Sequence, residues 1–355
     1  MKTTRLQSIG GWRAVSIILV LGGHLHFSNA FPAADERVVG WFFDGNLGVR
    51  FFFVISGFLI THLLLQEHEL TGAVNLKNFY IRRALRILPV CYVFLLVVLL
   101  FQLFTSWKQP VANWLANIFF MTDFISSPRA TGHLWSLGVE EKFYLIWPFL
   151  LVAAGCQNKK RLRYLLAIPL ITTPICRWIT QAHLATPALH PFFQFFPFFN
   201  YCDSLAVGCL AAVFFTQKNF IGRPGKIQRL VLAVALIVVP QILYSLGIYP
   251  GMSYMLGPSC QAVGFALLLL QSIGEPSQFK PLNSAVMTHI GVLSYSIYIW
   301  QQICWSREVT ASSPRYWYFA LLMSLTLIYV VSAASYYGLE KPLMGLRARF
   351  RKVSN

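Results

Sequence analysis

The sequence predicts an all-α integral membrane protein, a bundle of about ten transmembrane helices with both termini in the cytoplasm. Of its 355 residues, 56% are hydrophobic and only 12% are charged, which is too apolar for a soluble globular domain. Apolar stretches of about 20 residues recur along the chain, and each is long enough to cross ~30 Å of hydrocarbon as a helix. Lysine and arginine concentrate in alternate connecting loops.

The apolar stretches give the order of the predicted spans. They lie roughly at 12–30, 47–65, 87–105, 142–156, 164–181, 192–216, 230–247, 254–273, 286–305 and 316–338. The fourth is short and the sixth contains Pro197, so these two have the least sharply defined ends. Another apolar piece, 111–125, carries Asn113, Asn117 and Asp123. We therefore predict an interfacial or re-entrant element there, outside the count of ten.

The positive charge of the chain follows its predicted topology. The net charge is +17, and with the N-terminus inside, 20 of the 29 Lys and Arg residues fall on the cytoplasmic side. Arg13 lies just inside the first span, and the remaining 8 fall outside. This bias is the positive-inside rule, and it fits an even number of spans. It argues against nucleic acid as a partner and indicates contact with anionic membrane lipid.

Residues 1–30 resemble a secretory signal, with a basic start, an apolar run and a small residue at Ala30. Arg13 and His24 within the run favour its retention as the first span. Seven scattered cysteines without a CxxC pair predict buried free thiols and no metal site. We predict one transmembrane domain over 1–345 and a basic cytoplasmic tail at 346–355.

The first span, "RAVSIILVLGGHLHF", contains two groups that lipid penalises, Arg13 and His24. Eleven residues are close to three helical turns, so both lie on one face, ~16 Å apart along the axis. A charge at the centre of a span costs ~2.5–3.5 kcal/mol, and such groups tend to face the bundle interior. The alternative is that Arg13 reaches the interface and His24 bonds a neighbouring carbonyl.

The stretch "FYIRRALRILP" places Arg82, Arg83 and Arg86 within five residues. The spacings i,i+4 and i,i+3 allow at least two guanidinium groups to converge beside the third span. Paired arginines suit phosphate because their planar groups form bidentate, charge-assisted hydrogen bonds. The alternative is an ordinary basic anchor at the membrane surface, although three arginines exceed what anchoring requires.

The stretch "TGHLWSLGVEEKFYLIWP" leads into the fourth span. His133, Trp135 and Ser136 precede Glu140 and Glu141 at the predicted outer boundary. A carboxylate, an imidazole and a hydroxyl at one entrance could orient a base or bind sugar hydroxyls. The alternative is an aromatic belt at the interface, which explains the tryptophans but not the adjacent acids.

Other polar positions lie within apolar segments. "GVRFFFVISGFLI" supplies Gly57 and other small residues that permit close helix packing. Asp203 is an intramembrane carboxylate and a candidate partner for an arginine. Ser294, Tyr298 and Gln301 occur at helical spacing and predict a polar stripe on the ninth span.

Taken in order along the chain, these motifs resemble the acyltransferase 3 family of polytopic membrane enzymes. The resemblance covers essentially the whole chain. Two positions depart from the family pattern: Arg50 follows "GV" where members usually have an acidic or small residue, and Gln301 stands where many have histidine. The matching features are Arg13 and His24, "GVRFFFVISGFLI", "FYIRRALRILP", "HLWSLGVEEKFYLIWP", Asp203 with Gly208, "SYSIYIW", and Glu340 with Pro342.

The resemblance implies an acyltransferase of the plasma (inner) membrane. Such enzymes transfer an acyl group, often acetyl, from cytoplasmic acyl-coenzyme A to a hydroxyl of an extracytoplasmic glycan, lipid-linked sugar or related acceptor. The donor is acetyl-coenzyme A or another acyl-coenzyme A, and no metal is expected. The alternative from another class is a transporter or flippase for a glycan or lipid precursor, with no acyl chemistry. A binding or sensory membrane protein is the third alternative.

The predicted roles combine the motifs with this chemistry. His24 acts as general base on the acceptor hydroxyl, because an imidazole can take and return a proton at neutral pH. A covalent acyl-histidine relay is the less favoured alternative. Glu140 or Glu141 orients His24 or the acceptor. The phosphates of the donor are held by Arg83 and Arg86, with Arg82 or Arg13 assisting, and the acceptor-site candidates are His133, Trp135, Ser136, Asp203 and Gln301.

Overall fold

The structure is a computed structural model of the chain. It describes residues 6, 8–27, 44–105, 108–125, 129–183, 197–215, 225–304 and 317–346. Throughout these ranges the regular structure is helical and no strand occurs. The predicted all-α class is therefore confirmed.

The described ranges contain thirteen α-helices. Two short 3-10 turns, Thr122–Phe124 and Pro276–Phe279, and a π-helical turn, Tyr336–Glu340, accompany them. In chain order the α-helices are α1 (Ile9–Phe27), α2 (Gly45–Thr71), α3 (Leu76–Phe104), α4 (Val111–Ile118), α5 (Arg129–Gly132), α6 (Leu134–Ala154), α7 (Lys159–His183), α8 (Pro197–Phe215), α9 (Lys226–Ser245), α10 (Pro250–Gly274), α11 (Ala285–Cys304), α12 (Trp317–Ser335) and α13 (Lys341–Leu346).

A helix occupies each of the ten predicted spans. Within the described ranges, seven helical stretches are long and apolar enough to cross a membrane, judged by length and composition. They are Gly45–Thr71, Leu76–Phe104, Lys159–Gln181, Phe198–Phe215, Lys226–Ser245, Pro250–Gly274 and Leu321–Leu346, with Ile9–Leu25 as a shorter apolar helix. The chain is thus a multi-pass membrane protein, while the count of ten and the side of each terminus stay predictions.

The apolar piece 111–125 forms α4 and a 3-10 turn. An eight-residue helix is ~12 Å long, less than half of the hydrocarbon thickness, so α4 cannot cross the bilayer. Its polar residues Asn113 and Asn117 are buried, as is Asp123 in the following turn. The element therefore lies outside the spans, as expected. The predicted tail at 346–355 falls outside the described residues beyond Leu346, and the domain boundary stays a prediction.

The chain divides into two compact units. The first comprises 1–13, 49–74 and 139–288, and the second comprises 14–48, 75–138 and 289–355. In the first unit, α7, α8 and α10 pack against one another, and α9 lies along α10. Helix α2 contacts α8 through glycines: a Cβ atom at Gly57 would overlap the carbonyl oxygen of Leu205, and one at Gly208 would overlap that of Val54. This contact confirms the predicted packing role of Gly57.

The second unit contains most of α1, all of α3, most of α11 and the first turn of α6. Helix α3 contains Pro89 and packs against the π-helical turn and α13. Helix α11 is buried along most of its second half, from Leu293 to Gln301. Because α11 contributes side-chain hydrogen bonds to several neighbouring segments, it positions a buried polar site in this unit.

Candidate active site

His24 lies near the end of α1, on the same continuous helix as Arg13. Its Nδ1 atom is 3.1 Å from the Oε1 atom of Gln301 on α11. The side chain of Gln301 is completely buried, whereas His24 is partly exposed. An amide oxygen only accepts hydrogen bonds, so this contact places the proton of a neutral His24 on Nδ1. The other ring nitrogen, Nε2, then carries a lone pair.

A second histidine of the predicted site, His133, is fixed by the same helix. Its Nε2 atom lies 3.0 Å from the carbonyl oxygen of Ile299 and donates to it. The hydroxyl of Tyr298 donates to the carbonyl oxygen of His133 at 2.6 Å and also contacts Ser136. His133 and Ser136 are both buried. Two of the predicted acceptor-site residues thus lie together against α11.

Aromatic rings enclose His133. The ring of Phe94 meets the imidazole edge-on at 5.5 Å and meets Trp300 in the same way at 5.5 Å. Tyr298 also contacts the imidazole, with 5.4 Å between the ring centres. His133 is also close enough to His24 for the two imidazoles to interact electrostatically. Since His133 is buried, polar groups in contact with it act in a low-dielectric environment.

Several buried polar atoms at this site have no hydrogen-bond partner among the described residues. They are the Nε2 atom of Gln301, the Nε1 atom of Trp300 and the Nδ1 atom of His133. The first two are donors, and the third is an acceptor because Nε2 of the same ring holds the proton. Buried polar groups are normally paired, so unpaired ones beside a histidine are consistent with a site that a substrate completes.

The three arginines lie in the first half of α3, which begins with Asn75 as its N-cap. Arg82, Arg83 and Arg86 are all partly exposed. The guanidinium group of Arg83 lies over the ring of Phe79 at 5.7 Å. The three side chains are thus partly exposed cations on one helix, and both their convergence and their role toward phosphate stay predictions.

Helix α11 links this arginine segment to His24. The hydroxyl of Tyr295 donates to the carbonyl oxygen of Ile87, the residue after Arg86, at 2.8 Å. Six residues further along α11, Gln301 contacts His24. At 1.5 Å per residue, the two contacts are ~9 Å apart along the axis of α11. One rigid element therefore sets the spacing between the arginine segment and the histidine.

Glu140 and Glu141 lie in α6, within the first unit. Ser56 of α2 donates to Glu140 Oε1 at 2.5 Å, and the hydroxyl of Tyr144 donates to Ser56 at 3.1 Å. Trp147 donates to Thr61 at 2.8 Å further along the same two helices. Glu140 therefore accepts from Ser56, which in turn accepts from Tyr144. The hydrogen-bond acceptor for His24 is the Oε1 atom of Gln301 and not a glutamate oxygen. The predicted catalytic roles of Glu140 and Glu141 stay predictions.

Asp203 forms a buried ion pair with Arg177 of α7, with Nη2 at 2.8 Å from Oδ1. This confirms that the intramembrane carboxylate has an arginine partner. Ser259 of α10 donates to Asp203 Oδ2 at 2.6 Å, so the pair connects three helices. A contribution of Asp203 to substrate binding stays a prediction. The remaining predicted residues, Arg13 and Trp135, are partly exposed and have contacts within the protein.

The helical spacing of these polar residues did not indicate which of them pair. Gln301 was expected to face the acceptor, but nothing in the sequence indicated its contact with a histidine 277 positions away. Arg177 was not singled out, although a lone arginine in an apolar helix is a signal of its own. Within the described residues, no group of three or more His, Cys, Asp or Glu side chains could hold a metal ion.

Membrane-length helices and a buried cluster of histidine, glutamine and hydroxyl groups define a multi-pass membrane protein with an internal polar site. The chain belongs to the acyltransferase 3 family: the family model, described as an acyltransferase domain, matches residues 6–334. The predicted family is therefore confirmed.

Relatives of this chain include named O-acetyltransferases. OatA, the peptidoglycan O-acetyltransferase of Listeria monocytogenes, is 27% identical over 374 residues, covering 96% of this chain and 57% of OatA. YrhL of Bacillus subtilis, provisionally named a peptidoglycan O-acetyltransferase, is 28% identical over 375 residues, covering 98% and 56%. The chain thus spans a little over half the length of these relatives. No solved structure matches it.

Proposed function

We propose that the chain is a membrane O-acyltransferase, specifically an O-acetyltransferase, of the inner membrane. It transfers an acyl group from cytoplasmic acyl-coenzyme A to a hydroxyl of an extracytoplasmic glycan or lipid-linked sugar. Family membership and the printed names of the relatives support the reaction class. Both termini lie in the cytoplasm, and His24 is the general base. The contact between His24 and Gln301 carries the assignment.

The chemistry follows from the tautomer that Gln301 selects. With the proton on Nδ1, Nε2 of His24 takes the proton from the acceptor hydroxyl as its oxygen attacks the thioester carbonyl carbon. The carbon–sulfur bond then breaks, and the departing coenzyme A thiolate receives that proton from the imidazolium. A positioned base of this kind contributes about 10²–10⁴-fold to the rate. Direct transfer is favoured over an acyl-histidine, which stays the alternative.

Gln301 has a second role in this proposal. Its Nε2 atom is a buried donor without a partner among the described residues, and it lies on the same amide group that contacts His24. A donor there stabilises the negative charge that develops on the thioester oxygen during attack. The buried Nδ1 acceptor of His133 and the hydroxyl of Ser136 orient the acceptor sugar, with Trp135 as a contact surface for the sugar ring.

The donor binds through the arginines of α3. Arg83 and Arg86 hold the phosphates, Arg82 or Arg13 assists, and the pantetheine arm extends toward His24. The contacts of Tyr295 and Gln301 support this, because they hold the arginine segment and His24 against one helix, ~9 Å apart along its axis. Glu140 or Glu141 orients the acceptor or His24, and Asp203 supports the acceptor region by fixing Arg177.

The test is incubation of the purified full chain with labelled acetyl-coenzyme A and an envelope glycan fraction. Label appearing in the glycan supports the proposal, and the His24→Ala variant removes it. Transport of unmodified glycan across proteoliposomes, without label transfer, would support the transporter alternative and reject acyl transfer. Covalent label on protein trapped before glycan is added would favour the acyl-histidine route.

A further inference from the structure

The guanidinium group of Arg50 is partly buried, and two of its nitrogen atoms lack a hydrogen-bond partner among the described residues. These atoms, Nε and Nη1, are both inaccessible to solvent. The Cζ atom of Arg50 lies 5.0 Å from the centre of the Tyr201 ring. Arg50 lies in the motif "GVRFFFVISGFLI" as one of the two departures from the family pattern, and the proposed transfer mechanism does not use it.

The carboxylate of this cluster cannot serve Arg50. Asp203 accepts from Arg177 Nη2 on both oxygens at 2.8 Å, from Ser259 at 2.6 Å and from the backbone N–H of Ser204 at 2.7 Å. An ionised carboxylate offers about four lone-pair positions, so these contacts fill it. Asp203 is also completely buried, and another guanidinium has no open side to approach.

Arg177 is itself saturated. Its Nε and Nη2 atoms donate to the carbonyl oxygen of Asn200, and Nη1 donates to Met255 and Ser259. Arg50 lies close enough to Arg177 for their charges to interact. The two arginines and Asp203 therefore leave one positive charge uncompensated among the described residues of this cluster. A partly buried cation of this kind is unfavourable unless an anion joins it.

We propose that Arg50 and Tyr201 bind an oxyanion, a carboxylate or phosphate, carried by the acceptor. The planar guanidinium carries its N–H groups in adjacent pairs, Nε–H with Nη2–H and Nη1–H with Nη2–H, and either pair fits two oxygens of one such group. The Tyr201 ring holds the guanidinium in place through a cation–π contact. Arg50 is thus a specificity residue, and this inference rests on the proposed acyltransferase function for the identity of the acceptor.

The positions of these residues along their helices agree with an extracytoplasmic site. Arg50 is near the start of α2, Arg177 near the end of α7, Asp203 near the start of α8, and Ser259 in the first half of α10. In the predicted topology all four helix ends face the outside. An acceptor group arriving from that side would reach Arg50 without crossing the bilayer.

The test is equilibrium binding to the purified full chain without acyl-coenzyme A, using two matched pairs of sugars. N-acetylmuramic acid is compared with its methyl ester, and N-acetylglucosamine 1-phosphate with N-acetylglucosamine. We expect at least one anionic sugar to bind tenfold or more tightly than its neutral counterpart. The pair that shows the preference identifies carboxylate or phosphate. No preference in either pair would overturn the proposal.

Variants locate the effect. Arg50→Gln should abolish the preference and leave binding of the neutral sugars unchanged, whereas Arg50→Lys should keep part of it. Arg163→Gln is the matched control, because Arg163 also lies over an aromatic ring, Phe214 at 5.2 Å, but is exposed. If Arg50→Gln does not fold, Tyr201→Leu replaces it and should weaken the preference. A preference that survives these changes rejects the site.

The two proposals fail separately. An anionic preference without label transfer from acetyl-coenzyme A would retain the oxyanion site and reject the acyltransferase function. Label transfer to glycan without any anionic preference would retain the acyltransferase function and reject the oxyanion site.

Discussion

The side chains of His24 and Gln301 are 277 positions apart in the sequence and meet in a hydrogen bond of 3.1 Å. The buried amide fixes one tautomer of the imidazole, because its oxygen can only accept. The amide group of Gln301 does not change its charge with pH. His24 is therefore oriented by a neutral partner.

Replacement of His24 by alanine should lower acyl transfer by at least about 10²-fold, the contribution expected of a positioned general base. Label transfer from acetyl-coenzyme A to glycan measures it, and size-exclusion profiles verify the fold. The matched control is His289→Ala, since His289, near the start of α11, contacts Tyr329 and has no proposed role. Wild-type turnover by His24→Ala would reject the assignment.

Two substitutions at Gln301 separate its two proposed roles. Gln301→Leu removes the acceptor for His24 and the donor for the thioester oxygen, and we expect kcat to fall about 10²-fold. Gln301→Glu keeps an acceptor toward His24 but removes the amide donor and places a negative charge near the thioester oxygen. If the donor acts on that oxygen, kcat should fall at least as far as in Gln301→Leu. Steady-state kinetics at saturating acceptor provide the measurement. Equal activity of both variants and wild type would exclude Gln301 from the mechanism.

Neutralising Arg83 and Arg86 together, as Arg83→Gln with Arg86→Gln, should raise the apparent KM for acyl-coenzyme A about tenfold or more. The apparent KM should rise because each charge-assisted hydrogen bond lost weakens donor binding by ~1.5–3 kcal/mol. The exposed Arg161 at the start of α7 provides the control variant Arg161→Gln. An unchanged apparent KM for acyl-coenzyme A in the double variant would indicate that these arginines only anchor the helix at the membrane surface.

The ion pair between Arg177 and Asp203 should be required for stability. Asp203→Ala leaves a buried guanidinium uncompensated, and the expected loss is ~3–5 kcal/mol. Thermal unfolding in detergent measures this as a lowered Tm. The double variant Arg177→Met with Asp203→Leu should be less destabilised than Asp203→Ala, because no charge is left unpaired. A double variant that unfolds at lower temperature than the single one would contradict this account.

The contact between α2 and α8 should not tolerate side chains at its two glycines. Gly57→Ala and Gly208→Ala each place a methyl group onto a backbone carbonyl oxygen of the facing helix, at an expected cost of ~1–3 kcal/mol or more. Gly338→Ala is the control, since a methyl group added there would meet no atom within 4 Å. Detergent-solubilised Tm values compare the three. Equal Tm values for all would show that the helices separate freely.

The sequence alone was sufficient for the helical class, the order of the helices and the family. Hydrophobic length and the distribution of basic residues are local properties of the sequence. A helix in lipid must also satisfy its own backbone hydrogen bonds, so each span can be predicted from its own residues. The same applies to the arginines of α3, whose grouping follows from helical spacing. The family motifs added the expected reaction class to this pattern.

Only the tertiary structure decided which polar groups meet. His24 with Gln301, His133 with α11 and Asp203 with Arg177 join distant parts of the chain. Because an unpaired polar group inside a bilayer is energetically costly, a polar residue in an apolar segment predicts that a partner exists. Which partner satisfies each group depends on how the helices pack, because helical periodicity fixes the face of a residue and not the neighbour across from it.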